Sequence, residues 1–137
     1  MNIYIEKGAY APNRAHKTDA GLDIRSRETR LVKAHSSALF HTGLHVQLLH
    51  GTAGLLVSKS GLNVNHGITS TGLIDEGYTG EILVKLYNNS DENYLVHAGD
   101  KISQLVVIPV FYGGIHIVDS LDENTERGDK GFGSSGK

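Results

Sequence analysis

Gly72-Leu73-Ile74-Asp75-Glu76-Gly77-Tyr78-Thr79-Gly80-Glu81-Ile82-Leu83-Val84 carries the pattern on which the rest of the chain is built. Apolar Leu73-Ile74 leads in and Ile82-Leu83-Val84 leads out. Between them Gly72, Gly77 and Gly80 mark tight turns, where the backbone can reverse and can approach a ligand closely. This predicts a hairpin that lifts Asp75 and Tyr78 off a sheet. The acid is able to take a proton, and the ring is able to stack on a flat ligand. Turn chemistry alone also accounts for Asp and Gly at these positions, so a decorated β-turn is the plainer reading of the same residues.

Outward from the hairpin the same short period recurs. Ile82, Val84 and Leu86 alternate with Leu83, Lys85 and Tyr87, which predicts a strand with both faces partly covered. Leu44, Val46 and Leu48 alternate with polar neighbours, and so do Ile3 and Ile5, and Leu22 and Ile24, as half-buried strands do. Gly54 to Val57 is a short apolar run. Ile102 to Val110 is dense in β-branched residues, and Ile115 and Val118 continue that character beyond Gly113-Gly114. Only one brief turn of helix, near Leu62 to His66, is expected. Short strands separated by Gly, Asn, Asp and Ser clusters predict an all-β antiparallel sandwich or barrel. From about Ser120 the composition becomes polar, with Phe132 its one aromatic residue. The expected division is a β-domain over 1–119 and a flexible segment over 120–137.

A chain of 137 residues buries one core without staples. With 13 basic and 15 acidic residues its net charge of −2 gives no field to draw in nucleic acid or an anionic membrane, so any phosphate binding has to be local. The absence of cysteine excludes disulfides and thiolate metal sites and suits a reducing compartment. No apolar run reaches the roughly 20 residues of a membrane span, and no signal pattern opens the chain, so the default location is the cytoplasm. Gly131 to Gly136 formally fits G-x-G-x-x-G, but a dinucleotide fingerprint has to follow a strand and open a helix. His41 and His45 share a strand face without a third ligand, and the eight histidines are read as surface residues.

Four further stretches carry chemistry. Thr18-Asp19-Ala20-Gly21-Leu22-Asp23-Ile24 sets two acids at a turn entering a strand, where either can face a metal-bearing phosphate. Ser58-Lys59-Ser60-Gly61-Leu62 offers a cation, a hydroxyl and a Gly-flanked amide, the ingredients of a phosphate cradle. Gly99-Asp100-Lys101-Ile102-Ser103-Gln104-Leu105 is a polar turn opening a core strand. Arg127 to Gly136 combines a cation, an aromatic and two hydroxyls in the polar tail. Each taken singly is also accounted for as a solvated loop.

Together with the hairpin, and in this order, these stretches resemble the five motifs of the trimeric deoxyuridine triphosphatases, enzymes that split dUTP into dUMP and pyrophosphate. The resemblance spans Asp19 to Gly136. It implies a jelly-roll β-fold and a homotrimer whose sites are shared between subunits, with the first, second and fourth motifs from one chain, the third from a neighbour and the fifth from the remaining one. It implies that Asp75 is the base for the water attacking the α-phosphorus, and that Tyr78 packs on the deoxyribose and rejects UTP. Backbone atoms of Gly72, Leu73 and Ile74 would read the uracil edge. Asp23 would help hold, through water, a Mg²⁺ ion carried mainly by the triphosphate. Lys59, Ser60, Gly61 and Gln104 would support the phosphates. Arg127, Phe132, Gly133, Ser134 and Ser135 would close over the substrate as a lid. Lys59 stands where relatives most often carry Arg, Thr69 where many carry Asn, and Ser135 where Thr is frequent. Two alternatives remain at this point: a dCTP deaminase of the same fold, for which Glu76 and Glu81 are loose candidates, and a non-catalytic nucleotide- or protein-binding regulator.

Overall fold

The computed structural model describes residues 1–121, 125, 128 and 129. Nine strands and one helix follow in the order β1 (Asn2–Ile5), β2 (Gly21–Arg25), β3 (Arg30–Val32), β4 (Ser36–Gln47), β5 (Thr52–Val57), α1 (Ser60–His66), β6 (Ile68–Ile74), β7 (Glu81–Asn88), β8 (Tyr94–Val96) and β9 (Lys101–Pro109). Every pairing among them is antiparallel. Seven strands form one sheet in the order β1-β4-β7-β6-β5-β9-β2, and β3 and β8 form a separate ribbon.

The sheet turns a corner inside β6. Ile68, Thr69 and Ser70 pair with β7, whereas Thr71 to Ile74 pair with β5. A strand that changes partners midway lets two half-sheets face one another, which is how antiparallel sandwiches close. The space between them is filled by residues of both halves, at period 2 in Ala38, Phe40, Leu44 and Val46 of β4 and in Ile82, Val84 and Leu86 of β7, with Leu22, Ile24, Leu56, Ile102 and Leu105 opposite. A bulge between His41 and His45 keeps β4 in phase with the core. Gly43 takes φ +62° there, a left-handed conformation that costs a residue with a Cβ.

Several expectations are revised. Ile3 and Ile5 are 37% and 36% exposed, because β1 is the edge of the sheet and has nothing on its far side. Gly21 to Ile24 are all buried rather than alternating, since β2 lies at the other edge with Asn13 bridging to Asp23. On β7 the core face is closed, while Leu83, Lys85 and Tyr87 face outward and are exposed. Ile115 and Val118 continue no strand. They are 93% and 58% exposed, and regular structure among the described residues ends at Pro109. The brief helix exists and starts earlier, at Ser60, ending where Gly67 takes φ +64° as its left-handed cap. That helix is far too short to cross a membrane, and no other described helix is long and apolar enough to do so.

Candidate functional site

The expected site residues fall into two clusters. The first gathers where the ends of β2, β5 and β9 meet. Asp23 on β2 lies opposite Gln104 on β9, and Gln104 lies opposite Val57 on β5, so adjacent rungs bring the first, second and fourth motifs together. Gln104 donates from Nε2 to the main-chain oxygen of Ser58 at 3.1 Å. A Cβ at Gly21 would come within 2.5 Å of Gln104 Oε1, so only glycine leaves the amide its place. Lys59 has extended backbone and precedes α1 as its N-cap without capping it by a side chain. Ser60 and Gly61 thus form the first turn of the helix, with amides that have no intrahelical acceptor, rather than a free loop.

Asp23 is 3% exposed. Lys59 hydrogen-bonds its Oδ1, and the Nζ of Lys101 lies 2.7 Å from its Oδ2 as an ion pair. Burial pushes the carboxyl up, but the ammonium groups of Lys101 and Lys59 outweigh it and hold Asp23 below the usual carboxylate range. Two ammonium groups on one carboxylate leave a net positive charge at the surface of the cluster, which suits an anion such as phosphate. The same geometry does not fit a cation at Asp23, because both oxygens already face ammonium groups. No group of three or more His, Cys, Asp or Glu converges on a metal position among the described residues.

Lys101 was not singled out by sequence reasoning, although it is the one charged residue of β9 and so had a signal. Ser70 and Ser103 left no such trace. Their hydroxyls meet at 2.9 Å in the core, Ser103 donates to Val57 O at 3.1 Å, and the Ser70 amide donates to Ser58 Oγ at 2.9 Å. This buried chain of hydroxyls fixes the end of β5 from which Lys59 projects.

The second cluster is the hairpin. Gly72, Leu73 and Ile74 end β6, with Ile74 buried and Leu73 64% exposed. Beyond them Asp75 is exposed, and the chain turns so that the Tyr78 amide donates to Asp75 O at 3.0 Å. The Tyr78 ring folds back over Gly80, where a Cβ would lie 2.5 Å from its hydroxyl oxygen, and that hydroxyl donates to Glu81 O at 2.9 Å. These residues border a cleft of about 280 Å³ lined by Leu56, Gly72, Leu73, Ile74, Asp75, Tyr78 and Lys85 among others. Thr69 sits apart from it, opposite Tyr87, and accepts a hydrogen bond from Asn89 Nδ2 at 3.2 Å.

One chain does not bring the two clusters together. The β5–β6 register carried on by one residue sets Asp75 opposite Ala53. From Ala53 to Lys59 the chain covers roughly 20 Å at about 3.3 Å per residue. Arg127, Phe132, Gly133, Ser134 and Ser135 lie outside the described residues.

A dUTPase family model matches residues 7–136. The chain belongs to the dUTPase family. Within that family it is 45% identical over 135 residues to the deoxyuridine 5'-triphosphate nucleotidohydrolase of Clostridium kluyveri, covering 96% of this chain and 94% of that one. The dUTPase of Staphylococcus bacteriophage 80alpha, solved with dUPNHPP, superposes with a TM-score of 0.91 at 32% identity, covering 99% and 98% of the two chains. A mutant dUTPase from phage phi11 of S. aureus, described with a structural Mg(II) ion, superposes with a TM-score of 0.80 at 29% identity, covering 87% and 96%.

Within a dUTPase fold the acids considered for deaminase chemistry are already engaged. Glu81 accepts from His41 Nδ1 at 2.8 Å and from the Gly43 amide at 2.8 Å. Glu76 accepts from His50 and from the Gly51 amide, both at 2.8 Å. Seven of the eight histidines are exposed, as expected of surface residues, and His45 is the exception: it is only 22% exposed in its side chain and lies between Thr79 O and Glu6.

Proposed function

We propose that this dUTP diphosphatase uses Asp75 as the general base, taking a proton from the water that attacks the α-phosphorus so that dUMP and pyrophosphate separate. The observation that carries this reading is the exposed, unburdened carboxylate of Asp75 at the lip of the hairpin cleft, beside Tyr78. A base has to reach solvent and substrate alike, and of the three acids on this hairpin Asp75 alone has no hydrogen bond to its carboxylate among the described residues.

The nucleoside occupies that cleft in this reading, with main-chain groups of Gly72 to Ile74 on the uracil edge and the Tyr78 ring against the deoxyribose. The phosphates lie on Lys59, Ser60, Gly61, Lys101 and Gln104. Lys in place of Arg at position 59 offers a point charge rather than a two-pronged contact. Mg²⁺ belongs to the reading as a companion of the triphosphate, with no side chain of this chain assigned to it. Asp23 is assigned to anchoring the two lysines.

The separation of the clusters supports a homotrimer in which Asp75 of one subunit serves the phosphate cluster of another. So do the apolar residues left outside: Leu73, Leu83, Phe111, Ile115, Ile117 and Leu121 are all 38% exposed or more. Arg127, Phe132, Gly133, Ser134 and Ser135 are assigned to a lid over the bound nucleotide, excluding water and completing the charge complement. Asp75→Asn tests the base. Turnover of dUTP should fall by about 10² to 10⁴-fold while a non-hydrolysable dUTP analogue still binds, and wild-type turnover would refute the assignment.

A further inference from the structure

Asp75 carries no hydrogen bond to its own carboxylate among the described residues, so its position depends on the backbone at either side of it. On one side Ile74 is 6% exposed and packed into the core. On the other, Glu76 is held by three donors from two distant segments. Its Oε1 accepts from His50 Nδ1 at 2.8 Å, and its Oε2 accepts from the Gly51 amide at 2.8 Å and from the Tyr112 hydroxyl at 3.1 Å. Gly51 presents that amide from a left-handed turn, φ +76°, and its carbonyl accepts in turn from the Val110 amide at 2.8 Å. The turn between β4 and β5, the hairpin between β6 and β7, and the chain leaving β9 therefore meet on one carboxylate.

We propose that Glu76 is a positioning residue for Asp75, locking the base in register by tying the hairpin to the 50–51 turn and to Tyr112. The proposal rests on Asp75 being the base. The engagement is strong enough to hold the Glu76 carboxyl below the usual range, chiefly through His50 and the Gly51 amide. Tyr112 lies in the chain that leaves β9, so its hydroxyl ties that segment to the residue next to the base. Nothing in the carboxylate's environment leaves it free to act on substrate.

The test compares full-length Glu76→Ala, Glu76→Gln, Tyr112→Phe and Asp75→Asn, with dUTP turnover, affinity for a non-hydrolysable dUTP analogue and thermal midpoint measured on each. A displaced base loses rate and not binding, so Glu76→Ala is expected to lower kcat by about 10- to 100-fold with analogue affinity within about threefold of wild type. Glu76→Gln should recover most of the rate, since its carbonyl still accepts from Gly51 and Tyr112 and its amide can donate to the other tautomer of His50. Tyr112→Phe should show a smaller fall in kcat alone. Unchanged kcat in Glu76→Ala overturns the proposal, and so does a fall that Gln does not rescue and that follows the loss of folded protein. If Glu76→Ala does not fold, Tyr112→Phe decides: reduced kcat with unchanged affinity sustains the proposal, and unchanged kcat overturns it. Wild-type turnover in Asp75→Asn would instead remove the base reading, a separate result.

Discussion

The Nδ1–H of His45 donates to the main-chain oxygen of Thr79 at 3.0 Å, binding β4 to the tip of the hairpin. Its Nε2 meets Glu6 Oε1 at 3.1 Å, so both ring nitrogens face acceptors and the doubly protonated ring is favoured. The bond to Thr79 and then the Glu6 carboxylate raise the His45 pKa above its ordinary 6.5, and Glu81 raises that of His41. A group whose pKa is raised by folding contributes stability below its unfolded value and loses it as pH climbs through the folded value. His45→Gln should therefore be less stable than wild type at about pH 5.5 to 6.5, with the difference shrinking as pH rises past the folded pKa. Denaturant midpoints from about pH 5.5 to about pH 8.5 measure this, and a gap that widens with pH would contradict it.

Asp23 responds in the opposite sense. Its pKa is lowered in the folded chain, so its contribution is present above the unfolded value and disappears as pH falls through the folded one. Asp23→Asn is expected to cost about 2–3 kcal/mol at neutral pH, below the roughly 3–5 kcal/mol typical of breaking a fully buried pair, because the two lysines can turn toward water. Their side chains are 26% and 33% exposed. Urea titrations of wild type and variant should differ at about pH 7, and the difference should shrink as pH falls below the unfolded value of 3.8.

Tyr78 is held by its ring over Gly80 and by a single exposed hydroxyl bond. Tyr78→Phe keeps the ring and should keep the preference for dUTP over UTP. In the proposed binding mode Tyr78→Ala opens the space beside the sugar and should lower the ratio of kcat/KM values by about tenfold or more. Equal selectivity in all three proteins would show that the ring is no steric gate.

The proposed sharing of sites between subunits makes a complementation test decisive. Asp75→Asn chains and chains ending at residue 126 should each be inactive alone. Unfolded together and refolded at equal amounts, they should regain about a quarter of wild-type activity, because random trimers then contain that share of complete sites. No recovery from a properly mixed assembly would place base and tail in the same subunit.

The strands were legible where the core demands a period of two and the sequence supplies it, as in Leu44 and Val46 and in Ile82, Val84 and Leu86, whereas Ala38 and Phe40 at the start of β4 were not legible as a strand. What was not legible depends on neighbours. Ile115 and Val118 have the composition of a strand but pair with no strand among the described residues, so propensity alone misplaces them. The hairpin could be named from Asp75, Tyr78 and its glycines, because turn chemistry is local. The pairing of Lys101 with Asp23 joins β9 to β2 from opposite ends of the chain, and that of Glu76 with Tyr112 spans 36 residues, and neither spacing leaves a mark in the sequence. Ser70 and Ser103 are hidden for the same reason: a buried hydroxyl pair looks like two ordinary strand serines until the register sets them face to face.

The change of partners within β6 has a consequence for how the molecule opens. Ile68 to Ser70 belong to one half-sheet and Thr71 to Ile74 to the other, so neither half can detach while this strand keeps both sets of bonds. Its paired amides should exchange with deuterium only when the whole fold comes apart, at the slowest rate in the protein. The hairpin tip at 75–80, one residue beyond the same strand, should exchange far faster. The rigid seam of the structure and the turn that carries Asp75 are thus consecutive in the chain, so the base is set directly on the least yielding strand of the fold.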